Sequence, residues 1–141
     1  MNLAVNITLA ASGIFLVVGM IGGILKYHGM MTRPDHCAHP YIDIAHRSSL
    51  LYSFAALVMA TLLTYSPYSE NVQLVITGVP LFFFAMAIAQ YYRLGLAGGT
   101  TNQFSERSFA TTWGMYLLIV GEIGGVSAIV WGFISTQLLG G

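Results

Sequence analysis

The chain has 141 residues, 56% of them hydrophobic and 7% charged, with five basic side chains against five acidic ones and a net charge of zero. Soluble domains carry about 25% charged residues, so a chain with a mean hydropathy of +0.74 cannot cover a water-facing globule. Zero net charge offers nucleic acid no electrostatic footing, and a lone cysteine, Cys37, excludes an intrachain disulfide.

Four apolar runs cover residues 3–25, 48–65, 72–92 and 109–138. Each is near or above the ~20 residues that carry a helix across hydrocarbon. They predict an all-α fold: one integral membrane four-helix bundle over residues 1–141, with the lipid bilayer as solvent. The first run lacks a basic leader and is too long for a signal core, so it reads as a retained span. Gly19 and Gly23 stand at its end with the spacing that lets helix backbones approach closely.

The stretch from Lys26 to Ala45, "KYHGMMTRPDHCAHPYIDIA", reads as a long loop folding over one mouth of the bundle. Connections between neighbouring helices usually take about 2–8 residues. The second run opens on "AHRSS". The third holds Pro80, which removes a helix hydrogen bond, then Phe82, Phe83 and Phe84, and ends on Tyr91 and Tyr92. The fourth carries Gly114, Gly121, Gly125, Ala128 and Gly132, nearly all on one stripe, suited either to packing inside the bundle or to an oligomer interface.

All five basic residues, Lys26, Arg33, Arg47, Arg93 and Arg107, fall around the first and third connections. The positive-inside rule makes these connections cytoplasmic and puts both termini on the same, outer side. The expected location is a bacterial inner membrane.

Three constellations carry candidate chemistry. Asp35, His36, Cys37 and His39 include zinc or copper ligand types, but their spacing matches no closed metal site, and a solvated loop is the plainer reading. Glu122 stands in the middle of the fourth run. An ionisable group at that depth needs a partner or a proton; Gln90, Thr61, Thr64 or a basic group of a neighbouring subunit are candidate partners between which the sequence does not choose, and a small proton-handling or transport protein is one reading of the chain. The third constellation centres on His46. At 100° per residue, Ser49 and Ser53 share its helix face and Tyr52 does not. An imidazole at the edge of an apolar bundle, with Arg47, Arg93 and Arg107 at the same depth, suits haem b: iron on the histidine, propionates on the basic rim. One histidine rather than a facing pair leaves the second face of the iron open to a small ligand.

On these residues the sequence resembles the styrene oxide isomerases, small four-span membrane proteins that bind haem b and assemble as homotrimers. The likeness lies in "AHRSSLLYSF", in a glycine followed 14 residues later by Tyr92 within "GVPLFFFAMAIAQYYRLG", and in Asn102-Gln103-Phe104 ahead of the fourth run. It covers nearly the whole chain with few specific positions. The resemblance implies that His46 is the axial ligand of the haem iron and that Tyr92 and Asn102 belong to the active site. It also implies a Lewis-acid isomerisation of a small apolar epoxide to an aldehyde. Tyr52 stands where the family has a catalytic asparagine, so the chemistry at that position is changed; the phenol would replace the amide as donor or block the iron. A non-catalytic accessory subunit of a larger membrane complex is the alternative.

Overall fold

The computed structural model describes residues 2–140. It has four α-helices, α1 (Leu3–Thr32), α2 (Pro40–Leu63), α3 (Glu70–Ala97) and α4 (Trp113–Gln137), with a 3-10 turn at Gln103–Ser105. α1, α3 and α4 are long and apolar enough to cross a membrane; α2 is not among them. Its first turns hold Asp43, His46, Arg47, Ser48 and Ser49, which dilute an otherwise apolar helix.

The long first loop does not exist as such. α1 continues past the apolar run to Thr32 and α2 begins at Pro40, so the connection shrinks to residues 33–39. Local chemistry explains the early start of α2. Proline at the first helical position has its φ already set and lacks only an N–H that the helix leaves unpaired, while the His39 imidazole Nδ1 accepts from Tyr41 N–H at 3.2 Å. The two extensions are then tied together. Lys26 Nζ lies 2.7 Å from Asp43 Oδ1, and Gly29 packs against Ala38.

Contacts between helices fix the directions. α1 and α2 are antiparallel, since Ser12 Oγ donates to Ser53 O at 2.8 Å and Lys26 meets Asp43. α3 runs with α1: Asn2 Nδ2 donates to Gln73 Oε1 at 2.7 Å, and Tyr92 Oη donates to Val18 O at 2.7 Å. α4 opposes α3, with Gly121 against Phe83 and Gly125 against Pro80. The chain is therefore an up-down-up-down bundle. All five basic residues lie at or near the α1–α2 and α3–α4 connections. At the other end Leu3 N–H donates to Glu70 at 3.0 Å and Thr136 Oγ1 to Tyr65 O at 2.9 Å.

The core is Val5, Phe15, Ala56, Met59, Leu63, Leu81, Phe84, Ile88 and Ile129. Most polar side chains buried around it are paired within the fold, as a hydrocarbon surrounding demands. Thr8, Ser49 and Thr77 bond back to their own helices. Gln73 accepts from Asn2 and donates to Tyr68 O at 2.8 Å.

The glycine stripes are used inside the bundle. Gly19 lies against Leu50 of α2; Gly121 and Gly125 lie against α3, and Gly132 against Tyr68. α3 runs unbroken through Pro80. The proline frees the carbonyl of Ile76, four residues earlier, and α4 closes on that point. A Cβ at Gly125 would stand 2.5 Å from both Ile76 O and Pro80 Cγ. Beyond this seam α4 is the least enclosed helix, burying only Gly125, Ile129 and Gly132. It packs on α3 and α2 and makes no close contact with α1.

Candidate functional site

His46 sits in the second turn of α2, with Ser49 and Ser53, on the face turned toward α1. Its ring Nδ1 is 2.7 Å from Gly19 O. A carbonyl only accepts, so Nδ1 carries the proton and, in the neutral ring, Nε2 holds the lone pair. Nε2 makes no hydrogen bond and does not figure among the enclosed polar atoms without partners. The ring packs edge-on against Gly23, where a Cβ would come 3.1 Å from its Cε1. A histidine held through Nδ1 by a backbone carbonyl, with Nε2 available, is the arrangement that orients metal-ligating imidazoles.

Tyr92 reaches the same place from α3. Its hydroxyl lies against Gly22 and donates to Val18 O, while His46 Cα would be 3.1 Å from a Cβ at Gly22. The α1 segment from Val18 to Gly23 is thus the floor on which His46 and Tyr92 meet. In the sequence only the Gly19/Gly23 spacing hinted at this floor; Gly22, which admits both side chains, carried no signal of its own.

The other expected site residues are placed elsewhere. Tyr52 stacks on Phe84 of α3, ring centroids 4.2 Å apart and 6° from parallel, and, six residues on, it does not share the helix face of His46. Arg47 is exposed and pairs with Asp43 Oδ2 at 2.8 Å. Asp43 therefore binds two cations, Lys26 and Arg47, and the Lys26 ammonium, with Arg47 assisting against the cost of partial burial, holds its carboxyl below the usual carboxylate range. Arg93 Nε donates to Gln90 Oε1 at 3.1 Å. Arg93 and Asn102 line an open polar cleft of about 490 Å³ between the end of α3 and the loop before α4. The Asn102 side chain accepts from Phe104 N–H at 3.0 Å and so caps the 3-10 turn. Arg107 is exposed in the same loop. His46 and Tyr92 are brought together; Tyr52, Asn102 and the arginines do not join them in one cluster.

Asp35, His36, Cys37 and His39 do not converge, and no group of three or more metal-ligating side chains gathers among the described residues. Asp35 lies 3.6 Å from Arg33 and accepts from Cys37 N–H, while His39 is spent on capping α2. The anticipated partners of Glu122 are also engaged otherwise. Thr61 and Thr64 bond to their own backbone and Gln90 to Arg93. Glu122 Oε1 is enclosed and makes no hydrogen bond.

Comparison with protein-family models, with curated proteins and with solved structures finds no match at a significant level.

Proposed function

We propose that this chain is an integral membrane protein that binds haem b through His46 and, like the styrene oxide isomerases it resembles, isomerises a small apolar epoxide to an aldehyde. The observation that carries this reading is the His46 ring. Its Nδ1–H is committed to Gly19 O, and its Nε2 makes no hydrogen bond and is not enclosed, so the lone pair of the neutral ring is available to a ligand. The residues that would hold the group are the oriented imidazole of His46, seated against Gly23, and the arginines at the same end of the bundle. Bound there, haem b would supply a Lewis-acidic iron.

The residues of the chain have their own tasks. His46 holds the ligand position through α1. Lys26, Asp43 and Arg47 lock the start of α2 to α1, so the imidazole cannot swing away. Tyr92 supports the floor through Val18 O, and its phenol becomes a donor to substrate only by releasing that carbonyl. The apolar bundle excludes water, which would trap a cationic intermediate as a diol. In this reading α2 spans the membrane as well, shielded by α1 and α3 with Ser49 and Ser53 turned inward; the basic end is cytoplasmic, both termini are outside, and a homotrimer follows by resemblance.

Purified protein in detergent, expressed with ample haem, is expected to show a Soret band that disappears in His46→Ala. Absence of the band in the wild type sinks the reading. Styrene oxide added to the haem-loaded protein should yield phenylacetaldehyde. One specific arrangement favours a second reading, a haem-bearing accessory subunit without isomerase activity: Tyr92 is tied to a backbone carbonyl and Tyr52 is stacked on Phe84. A Soret band without aldehyde formation selects it.

A further inference from the structure

The cleft between α3 and the loop before α4 is built by local turn chemistry. α3 stops at Ala97 because Gly98 takes a left-handed turn, φ 69°, and closes its N–H on Leu94 O. The chain that follows is pinned in place. Asn102 caps the 3-10 turn, Gln103 N–H donates to Tyr41 Oη at 2.7 Å, and Ser108 N–H donates to Thr111 Oγ1 at 2.9 Å. The enclosed space of about 490 Å³ is the size of a small-ligand site. Two of its lining side chains are charged, Arg93 from α3 and Glu106 from the loop. Among the described residues neither belongs to an ion pair, with the other or with any third group. Arg93 commits only Nε, to Gln90, which leaves the two terminal nitrogens of the guanidinium unused. The Asn102 side chain commits only its oxygen, so its amide N–H groups are also unused.

We propose that this cleft binds the headgroup of a phosphatidylethanolamine lipid, with the phosphate on Arg93 and Asn102 and the primary ammonium on Glu106. A guanidinium and a carboxylate that line one cleft without meeting suit a ligand carrying both signs. The guanidinium fork matches two phosphate oxygens, and the carboxylate accepts from an ammonium N–H while repelling a ligand that is only anionic. Exposed aromatic rings favour a lipid over a soluble zwitterion. Phe104 stands between the lining residues Gln103 and Ser105, Phe109 between Ser108 and Ala110, and Trp113 and Tyr116 follow in α4, all four exposed. Such rings mark the lipid–water boundary, the depth of a headgroup. A lipid held there ties the loop to α3 and so braces α4, which buries only three residues. The inference rests on the chain being an integral membrane protein and not on haem, since neither His46 nor Tyr92 lines the cleft. Of the arginines at this end it takes Arg93 for the headgroup and leaves Arg47 and Arg107.

The chain has two tryptophans, Trp113 and Trp131, and Trp113 follows the lining residue Thr111 by two positions. Trp131→Phe leaves it as the sole reporter of the lipid beside the cleft. Full-length protein with this substitution is reconstituted in phosphatidylcholine bilayers. Brominated phosphatidylethanolamine, phosphatidylglycerol or phosphatidylcholine is then titrated in as quencher. Trp113 is expected to prefer phosphatidylethanolamine over each of the others by about threefold, the scale of a solvent-screened charge pair. Glu106→Gln removes the partner of the ammonium and is expected to bring both preferences to near one. Arg93→Gln removes the phosphate anchor that sets the ammonium at Glu106 and is expected to do the same. Both side chains are exposed, so neither change disturbs the core, and unchanged helical circular dichroism checks this. Equal quenching by the three lipids, a preference for phosphatidylglycerol, or a preference that survives either substitution overturns the site. Displacement of the brominated lipid by soluble phosphoethanolamine assigns the cleft to a soluble ligand and overturns the lipid. Trp113 that no brominated lipid quenches overturns the membrane reading itself, whereas a Soret failure in the wild type leaves this result untouched.

Discussion

His46 and Tyr92 come from helices far apart in sequence and share a floor one glycine wide. A methyl group at Gly22 would press directly on the Tyr92 hydroxyl and come 3.1 Å from His46 Cα. The second neighbour is backbone and cannot yield. Gly22→Ala is therefore expected to destabilise the bundle by about 1–3 kcal/mol, the usual cost of overpacking, and, on the proposed function, to weaken haem retention; thermal unfolding and the Soret absorbance check the two effects. Tyr92→Phe removes only the hydrogen bond to Val18 O. A loss of about 0.5–1.5 kcal/mol is expected, with the Soret band retained, because His46 keeps its own bond to Gly19 O. If Tyr92→Phe abolishes the band, the phenol has a more direct part in holding the ligand than its geometry indicates. At this scale the sequence marked His46 and Glu122 as residues of interest by type and depth, and Tyr92 by resemblance. It could not choose a partner for Glu122 among Gln90, Thr61, Thr64 and a neighbouring subunit, because depth along a span says nothing of rotation about it.

Between elements, two seams hold the helices in register. One is the α3–α4 contact at Pro80, where the proline-freed Ile76 carbonyl meets Gly125. Gly125→Leu cannot be housed there, and α4, which buries little else, is expected to detach; limited proteolysis of the 98–112 loop should accelerate markedly. The other seam is the Lys26–Asp43–Arg47 cluster between α1 and α2. Asp43 has its carboxyl held below the ordinary value by these cations, so the folded state favours the ionised form. The stability it contributes is present above the unfolded value of 3.8 and is lost as pH falls through the lower, folded one. Asp43→Asn should lose about 0.5 kcal/mol at neutral pH, the scale of a solvent-screened pair. Its unfolding temperature should change less than the wild type's on acidification to below pH 4. The extensions that bring this cluster together were invisible to a hydropathy reading. Residues 26–32 and 40–47 are too polar to count as span, yet they form helix because helix propensity and capping do not depend on lipid.

For the whole molecule, the up-down-up-down topology gathers every basic residue at one end and both helix termini at the other. Cys37, exposed at the basic end, is the only cysteine. A membrane-impermeant maleimide is therefore expected to label the protein in inverted inner-membrane vesicles and not in intact spheroplasts. Labelling from outside would reverse the proposed orientation. The helical, membrane-suited character of the chain was legible in composition alone, because 7% charge leaves no other way to satisfy the backbone in an apolar solvent. Charge placement likewise marked the two ends before any coordinate was known. What only the tertiary structure decided is which faces meet. It turned both glycine stripes inward, drew Tyr52 to Phe84 rather than to His46, and left Glu122 Oε1 enclosed without a hydrogen-bond partner. The physical reason is that apolar runs of nearly uniform hydropathy have no strong face, so the rotation of each helix is set by close packing of small residues and by a few hydrogen bonds between distant turns.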